Sequence, residues 1–273
     1  DLTFDGGNLD LAGTNTGLAF QGVRMFYAST TNDSIAIGEN AGANFNAGTT
    51  FNVALGFEAG RNASSTGSDF NSFIGYLAGE NNTGDENNIF GYLAGRNNTG
   101  DDNNLIGKLA GRDNSGFDNN IIGDFAGYLN EGGHNNLIGD SSGFRNTGDD
   151  NNIFGRTAGY DNTGNENNIF GWNSGYANTG LGNQLIGSFS GRNNSGDYVS
   201  AVGIAAGYNN SGSFVNLIGQ NAGRSNSGSF SEFIGYRAAV IMSASNTVAI
   251  GRESLRGGSG DPFGGNAATT TDN

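Results

Sequence analysis

A repeat of sixteen residues governs this chain of 273. The segment 87–102, NNIFGYLAGRNNTGDD, runs straight into 103–118, NNLIGKLAGRDNSGFD. With the glycine after the paired apolar residues as origin, the unit recurs at Gly75, Gly91, Gly107, Gly123, Gly139, Gly155, Gly171, Gly187, Gly203, Gly219, Gly235 and Gly251 without insertion. Two looser units precede these at Gly38 and Gly56, so fourteen units occupy residues 33–255. Glycine recurs about three times per unit, which no stack of helices tolerates. Asn-Thr-Gly or Asn-Ser-Gly closes most units, and both Asn and Gly accept the positive φ of tight turns. The pattern predicts an all-β fold, a parallel β-solenoid whose sixteen-residue turn holds two short strands and two tight corners.

Composition enters as a test of this reading. The 50 glycines and 14% charged residues depart from the roughly 7% and 25% of ordinary globular chains. Without register that excess would indicate disorder, but here the glycines keep register. No apolar run approaches the ~20 residues of a membrane span, so membrane insertion is not expected. A net charge of -14 argues against nucleic acid, which needs clustered Lys and Arg. The absence of Cys removes disulfides and thiolate metal sites.

Two apolar residues precede each origin glycine, and adjacent strand residues face opposite ways. Both faces therefore ask for burial. The first residue of the pair, Ile89, Leu105, Ile121, Leu137, Ile153, Ile169 and Leu185 in the middle units, is the candidate interface stripe of an assembly about a common axis, with three chains the expected count. The alternative is a thicker monomer that buries both residues through irregular backbone. Stacking in register also aligns identical side chains. Asn88, Asn104, Asn120, Asn136, Asn152 and Asn168 form one expected ladder, and the series from Asn82 to Asn210 another, each amide bonding the next.

Residues 1–32 read as an N-terminal β cap or junction, with strand-like runs at 9–12, 17–20 and 23–27, and 256–273 as a Gly/Ser/Thr-rich tail. The start at Asp1 suggests a processed or excised segment.

The segments Ser34-Ile35-Ala36-Ile37-Gly38-Glu39-Asn40-Ala41-Gly42-Ala43 and Thr247-Val248-Ala249-Ile250-Gly251 resemble the head repeats of trimeric autotransporter adhesins (YadA-like). The middle units, Asn-Asn-Ile-Phe-Gly-Tyr-Leu-Ala-Gly, are similar to repeats of phage tail fibres and large bacterial surface proteins. The resemblance covers residues 33–255 and implies a left-handed β-roll that trimerises through one strand face. The family's head repeat is somewhat shorter, and no neck, stalk or barrel motif follows here, so membrane anchoring by this chain is not expected.

No catalytic constellation stands out, and an enzyme is not expected. The lone His134 holds a turn position where other units carry Asp or Glu. Paired acids could serve glycoside hydrolysis, but no turn is distinguished as a site. Asp85, Glu86, Asp101, Asp102, Asp149 and Asp150 are the candidate Ca²⁺ ligands, since acidic turns stacked in register suit an oxygen-loving cation; no other cofactor is implied. Arg96, Arg112, Tyr128, Tyr160, Tyr176, Arg192, Tyr208 and Arg224 share one surface position, where they could meet glycans or simply cover a strand edge. Ice binding would need a flat Thr array, which is missing. The reading is a non-enzymatic structural or adhesive rod, extracellular and borne on a cell or virion, that associates with itself, laterally or end to end. A phage tail-fibre shaft recognising polysaccharide is the alternative, and a Ca²⁺-stabilised filament subunit the third.

Overall fold

The structure, a computed structural model, describes residues 33–45, 49–63 and 69–255, with the backbone of four short strands between residues 15 and 29. Strands β1 (Asn15–Thr16) and β4 (Phe26–Ser29) pair antiparallel, as do β2 (Ala19–Phe20) and β3 (Val23–Arg24). β4 also lies antiparallel on β5 (Ile35–Ile37). From β5 onward each strand is parallel to its predecessor, through β6 (Val53–Leu55), β7 (Ser72–Ile74) and β8 (Asn88–Phe90) to β18 (Val248–Ile250). Fourteen strands in sequence order thus make a parallel β-solenoid of thirteen coils, with no helix among the described residues. At ~4.8 Å per strand the rod is roughly 60 Å long. The run at 9–12 and the tail 256–273 lie outside the described residues.

The expectation of two strands per coil is corrected: each coil holds one short strand and three four-residue turns. In the coil 87–102, Asn88–Phe90 is the strand. The Ala94 N–H then donates to the Gly91 carbonyl at 3.5 Å and the Asn98 N–H to the Gly95 carbonyl at 3.0 Å, closing two successive turns. A third turn follows at 100–103. The third residue of each turn, Leu93, Asn97 and Asp102, has φ of +55°, +59° and +57°. Left-handed backbone costs a non-glycine residue about 1–2 kcal/mol. Here it points each N–H along the rod, where it meets the Tyr76, Glu80 and Asp85 carbonyls of the preceding coil at 2.8–3.0 Å. The Asn88, Gly95 and Thr99 N–H groups donate the other way, to Asn103, Ala110 and Asn114, at 2.8–2.9 Å. The turns therefore continue the ladder of the strand without extended backbone, so a second strand is unnecessary.

The candidate interface stripe is also corrected. Ile89, Leu105, Ile121, Leu137, Ile153, Ile169 and Leu185 are all fully buried within one chain. They form the core ladder, each contributing about 1.5–3 kcal/mol of burial. The outward residue is the next one, directly before the origin glycine, as in Ile106, Ile122 and Ile186, which are about 40% exposed. Opposite the core ladder lies a line of Ala and Ser, and where Ser replaces Ala it donates to a carbonyl of the next coil, as Ser142 does to Ile153 at 3.0 Å and Ser174 to Leu185 at 2.8 Å.

About a third of the buried side chains are asparagine. From Asn82 to Asn226 one buried amide per coil donates to the Oδ1 of its counterpart in the preceding coil at 2.7–2.9 Å. The same Nδ2 bonds the carbonyl of the glycine two residues on, 2.7 Å for Asn98 and Gly100. A second buried line, absent from the sequence reading, runs through Asn71, Asn87, Asn103, Asn119, Asn135, Asn151, Asn167 and Asn183. Each Oδ1 accepts the backbone N–H at the equivalent place in the next coil at 2.7–3.0 Å. These partners replace water for every buried Oδ1 of the second line, while the Nδ2 groups of Asn87, Asn151 and Asn167 are buried without one.

Candidate functional site

Three surfaces of the rod carry the residues singled out in the sequence. The first is the outer face of the sheet. Asn88, Asn104, Asn120, Asn136, Asn152 and Asn168 lie there, each Nδ2 donating to the next Oδ1 at 2.8–3.0 Å. Beside this polar line runs the outward apolar line, from Ile37 through Ile106, Ile122, Phe170 and Ile218 to Ile250. Phe154 and Phe170 stack within it, centroids 5.0 Å apart and planes within 2°. Sequence reading saw this line but assigned it to the interior. A usable signal existed: the truly interior position alternates Ala36, Ala54, Ala201 and Ala249 with Ile, Leu and Phe. Where it shrinks to Ala36 and Ala54, the buried Phe45 takes up room nearby.

The second surface is the turn that bears the acids. Asp85, Asp101 and Asp149 each use Oδ1 to accept a backbone N–H of the preceding coil, from Asp69, Asp85 and Gly133, at 2.8–2.9 Å. Asn165, Ser213, Ser229 and Ser245 do the same in other coils at 2.9–3.1 Å. Where this position is polar it therefore serves as an acceptor rather than as a charge, and Phe117, Gly133 and Leu181 fill it in the remaining coils. Glu86, Asp102 and Asp150 follow at the left-handed residue and point outward. Among the described residues no three His, Cys, Asp or Glu side chains come together in a metal-binding arrangement. His134, half-exposed at φ +55°, has Nε2 3.4 Å from Asp118 and Nδ1 3.8 Å from Asp150, with its ring edge-on to Phe117. It is one rung of this charged line.

The third surface is the Arg and Tyr line. The Arg112 guanidinium sits 5.4 Å from the Tyr128 ring centre. Tyr128, Phe144, Tyr160 and Tyr176 then stack at 4.7–5.1 Å with planes within 6°. Arg192, Tyr208 and Arg224 continue the series. Rings stacked in this way cover one another's faces and leave their edges to solvent, so Tyr160 and Tyr176 have no free face to offer a sugar. At its N-terminal end the line becomes ionic. Glu80, buried, pairs with Arg61 on one side and with Arg96 Nε at 2.7 Å on the other. The bond to Glu80 raises the Arg61 pKa above its ordinary value. Glu80→Gln removes the anion between two guanidiniums. Breaking a buried pair costs about 3–5 kcal/mol, but both arginine side chains are a third exposed. Solvent screening brings the expected loss to about 1–2 kcal/mol, read as a lower melting temperature that high salt partly restores.

Among the described residues no helix is long and apolar enough to cross a membrane. Compared with known proteins, the chain matches no protein-family model, no curated protein and no solved structure.

Proposed function

We propose that this chain is a non-enzymatic structural protein, a rigid segment of an extracellular fibre or adhesin head on a cell or virion surface. In this reading three left-handed copies associate along the outer faces of their sheets. The observation that carries it is the outward apolar line, one bulky residue per coil over the whole described solenoid, flanked by a polar Asn line in the coils from Asn88 to Asn168. A strip roughly 60 Å long and about 10 Å wide offers about 600 Å² per chain. Two such faces reach the ~1,200 Å² at which specific interfaces begin. The spacing of the line matches itself: a second copy presents side chains at the same interval, so rungs can interdigitate along the full length. The backbone and Asn hydrogen bonds that join each coil to the next supply stiffness, which a fibre segment needs.

Light scattering on the folded full chain tests this, with an expected mass three times the 28.0 kDa of one chain. Ile122→Lys with Ile186→Lys, both on the outward line, is expected to give a monomer with an unchanged fold. A monomer mass for the unaltered folded chain would overturn the reading.

A further inference from the structure

Charge is unevenly distributed along the rod. Between residues 33 and 186 eighteen acidic residues accompany six basic ones, whereas between 187 and 255 Asp197, Glu232 and Glu253 accompany four arginines. Those arginines flank two tyrosines, Arg192 also lying 4.8 Å from the Tyr176 ring centre. Arg192 and Arg224 hold their guanidiniums 5.9 and 5.2 Å from the centre of the Tyr208 ring. Arg237 and Arg252 hold theirs 5.4 and 5.7 Å from the centre of the Tyr236 ring. A groove of about 300 Å³ is lined by Asn221, Arg224, Ser225, Arg237, Val240 and Ile241. One arginine of each tyrosine-centred cluster therefore enters the same groove.

The chemistry of these arginines is that of an anion receptor. Among the described residues Arg192, Arg224 and Arg252 have no carboxylate within 4 Å, and Arg237 meets Glu253 only at 3.8 Å. A guanidinium held over an aromatic ring is already ordered, while its N–H donors remain available for a bidentate oxyanion. Asn221 and Ser225 add neutral donors and acceptors suited to hydroxyl groups, and Val240 with Ile241 gives the groove an apolar wall. Arg192 and Arg252 lie four coils apart, roughly 19 Å at ~4.8 Å per coil, so one small anion cannot engage all four arginines. Repeated anions on a common chain can. Base stacking would need open ring faces, and guanidiniums already lie over Tyr208 and Tyr236.

We propose that the groove between Arg224 and Arg237, extended by Arg192 and Arg252, binds an acidic polysaccharide through its carboxylate or sulfate groups. The site lies on the turns and the outward apolar line on the strands, so it involves different residues from the self-association proposed above.

Binding of the full chain to immobilised dextran sulfate, a polyuronate and uncharged dextran of equal length tests it. The two acidic chains are expected to bind and the uncharged one not, with affinity falling as salt rises. Arg224→Gln with Arg237→Gln is expected to weaken binding at least ten-fold without changing the melt. The paired Lys variants should lose less, since charge remains and only the planar fork is lost. Arg145→Gln and Arg156→Gln, whose side chains pair with Asp161 and Asp140 in the acidic stretch, should bind as the unaltered chain does. Undiminished binding by the double Gln variant, or equal binding to uncharged dextran, would overturn the site. Tighter binding to single-stranded DNA of equal charge would overturn its assignment to polysaccharide. Light scattering on the same samples separates the two proposals, because lost binding with the oligomer intact counts against this site alone.

Discussion

Gly148→Ala is expected to destabilise the solenoid by at least about 3 kcal/mol, at the upper end of what overpacking costs. A Cβ at Gly148 would lie 2.7 Å from the Gly164 carbonyl carbon, with the carbonyl oxygen closer still, and 2.9 Å from Asn151 Nδ2. The φ of this residue is not positive, so the effect is one of space and not of backbone preference. The collision is with backbone, which cannot swing aside as a side chain can. Relief requires coils to part, and the nearby bond from the Thr147 N–H to the Asn162 carbonyl, 2.9 Å, stretches with them. The same clash recurs at Gly100, Gly116, Gly132, Gly164, Gly180 and Gly196, so every one of these glycines is a spacing element. Hydrogen exchange should show protection lost in the coils around residues 130–165 before it is lost elsewhere, because each coil touches only its neighbours. Gly133→Ala is the control, since its added methyl meets nothing closer than 3.1 Å and should cost within about 1 kcal/mol. Equal melts for the two variants would refute the argument.

Asn130→Asp should be as damaging although it changes almost no volume. Asn130 is fully buried; its Nδ2 donates to Asn114 Oδ1 at 2.8 Å and to the Gly132 carbonyl at 2.7 Å, and its Oδ1 accepts from Asn146 at 2.9 Å. An ionised aspartate keeps the acceptor and loses both donors, setting a carboxylate oxygen against two other oxygens. Unpaired buried charge costs about 3–5 kcal/mol. Burial among acceptors raises the pKa of the new carboxyl above its unfolded value of ~3.9. The folded variant therefore binds more protons than the unfolded one in the window above that value, and its stability falls as pH rises through the window. At lower pH the protonated carboxyl regains one donor, and the deficit against the unaltered chain should narrow. A melt at neutral pH indistinguishable from the unaltered chain would show that the ladder adds no net stability.

These two substitutions mark what could be read from the chain alone. Repetition of Gly, Asn and paired apolar residues, at a fixed spacing of sixteen through twelve of the fourteen units, has one economical structural solution, stacking in register, because only then do identical groups become one another's partners. The ladder from Asn82 and the outer ladder from Asn88 followed from that, and both are hydrogen-bonded in series. The line through Asn87 and Asn103 escaped notice because each Oδ1 accepts from a backbone N–H of another coil, which no side-chain pattern reveals. Asp85, Asp101 and Asp149 were legible as acids but not as acceptors, since the amides of Asp69, Asp85 and Gly133 that they receive become neighbours only on stacking. The two Arg–Tyr–Arg clusters, likewise, join side chains from separate coils.

The sequence by itself determined the coil length, the stacking in register and the division of labour among glycine, asparagine and apolar residues, because periodicity is a property of order along the chain. Only the tertiary structure decided which of two adjacent apolar residues faces inward. Alternation says that Ile89 and Phe90 point opposite ways, but not which way the coil closes. That is set by the three left-handed turns at Leu93, Asn97 and Asp102, of which Leu93 carries a side chain with no preference for such backbone. The neighbouring coils impose it, by offering carbonyls that the turned N–H groups can reach.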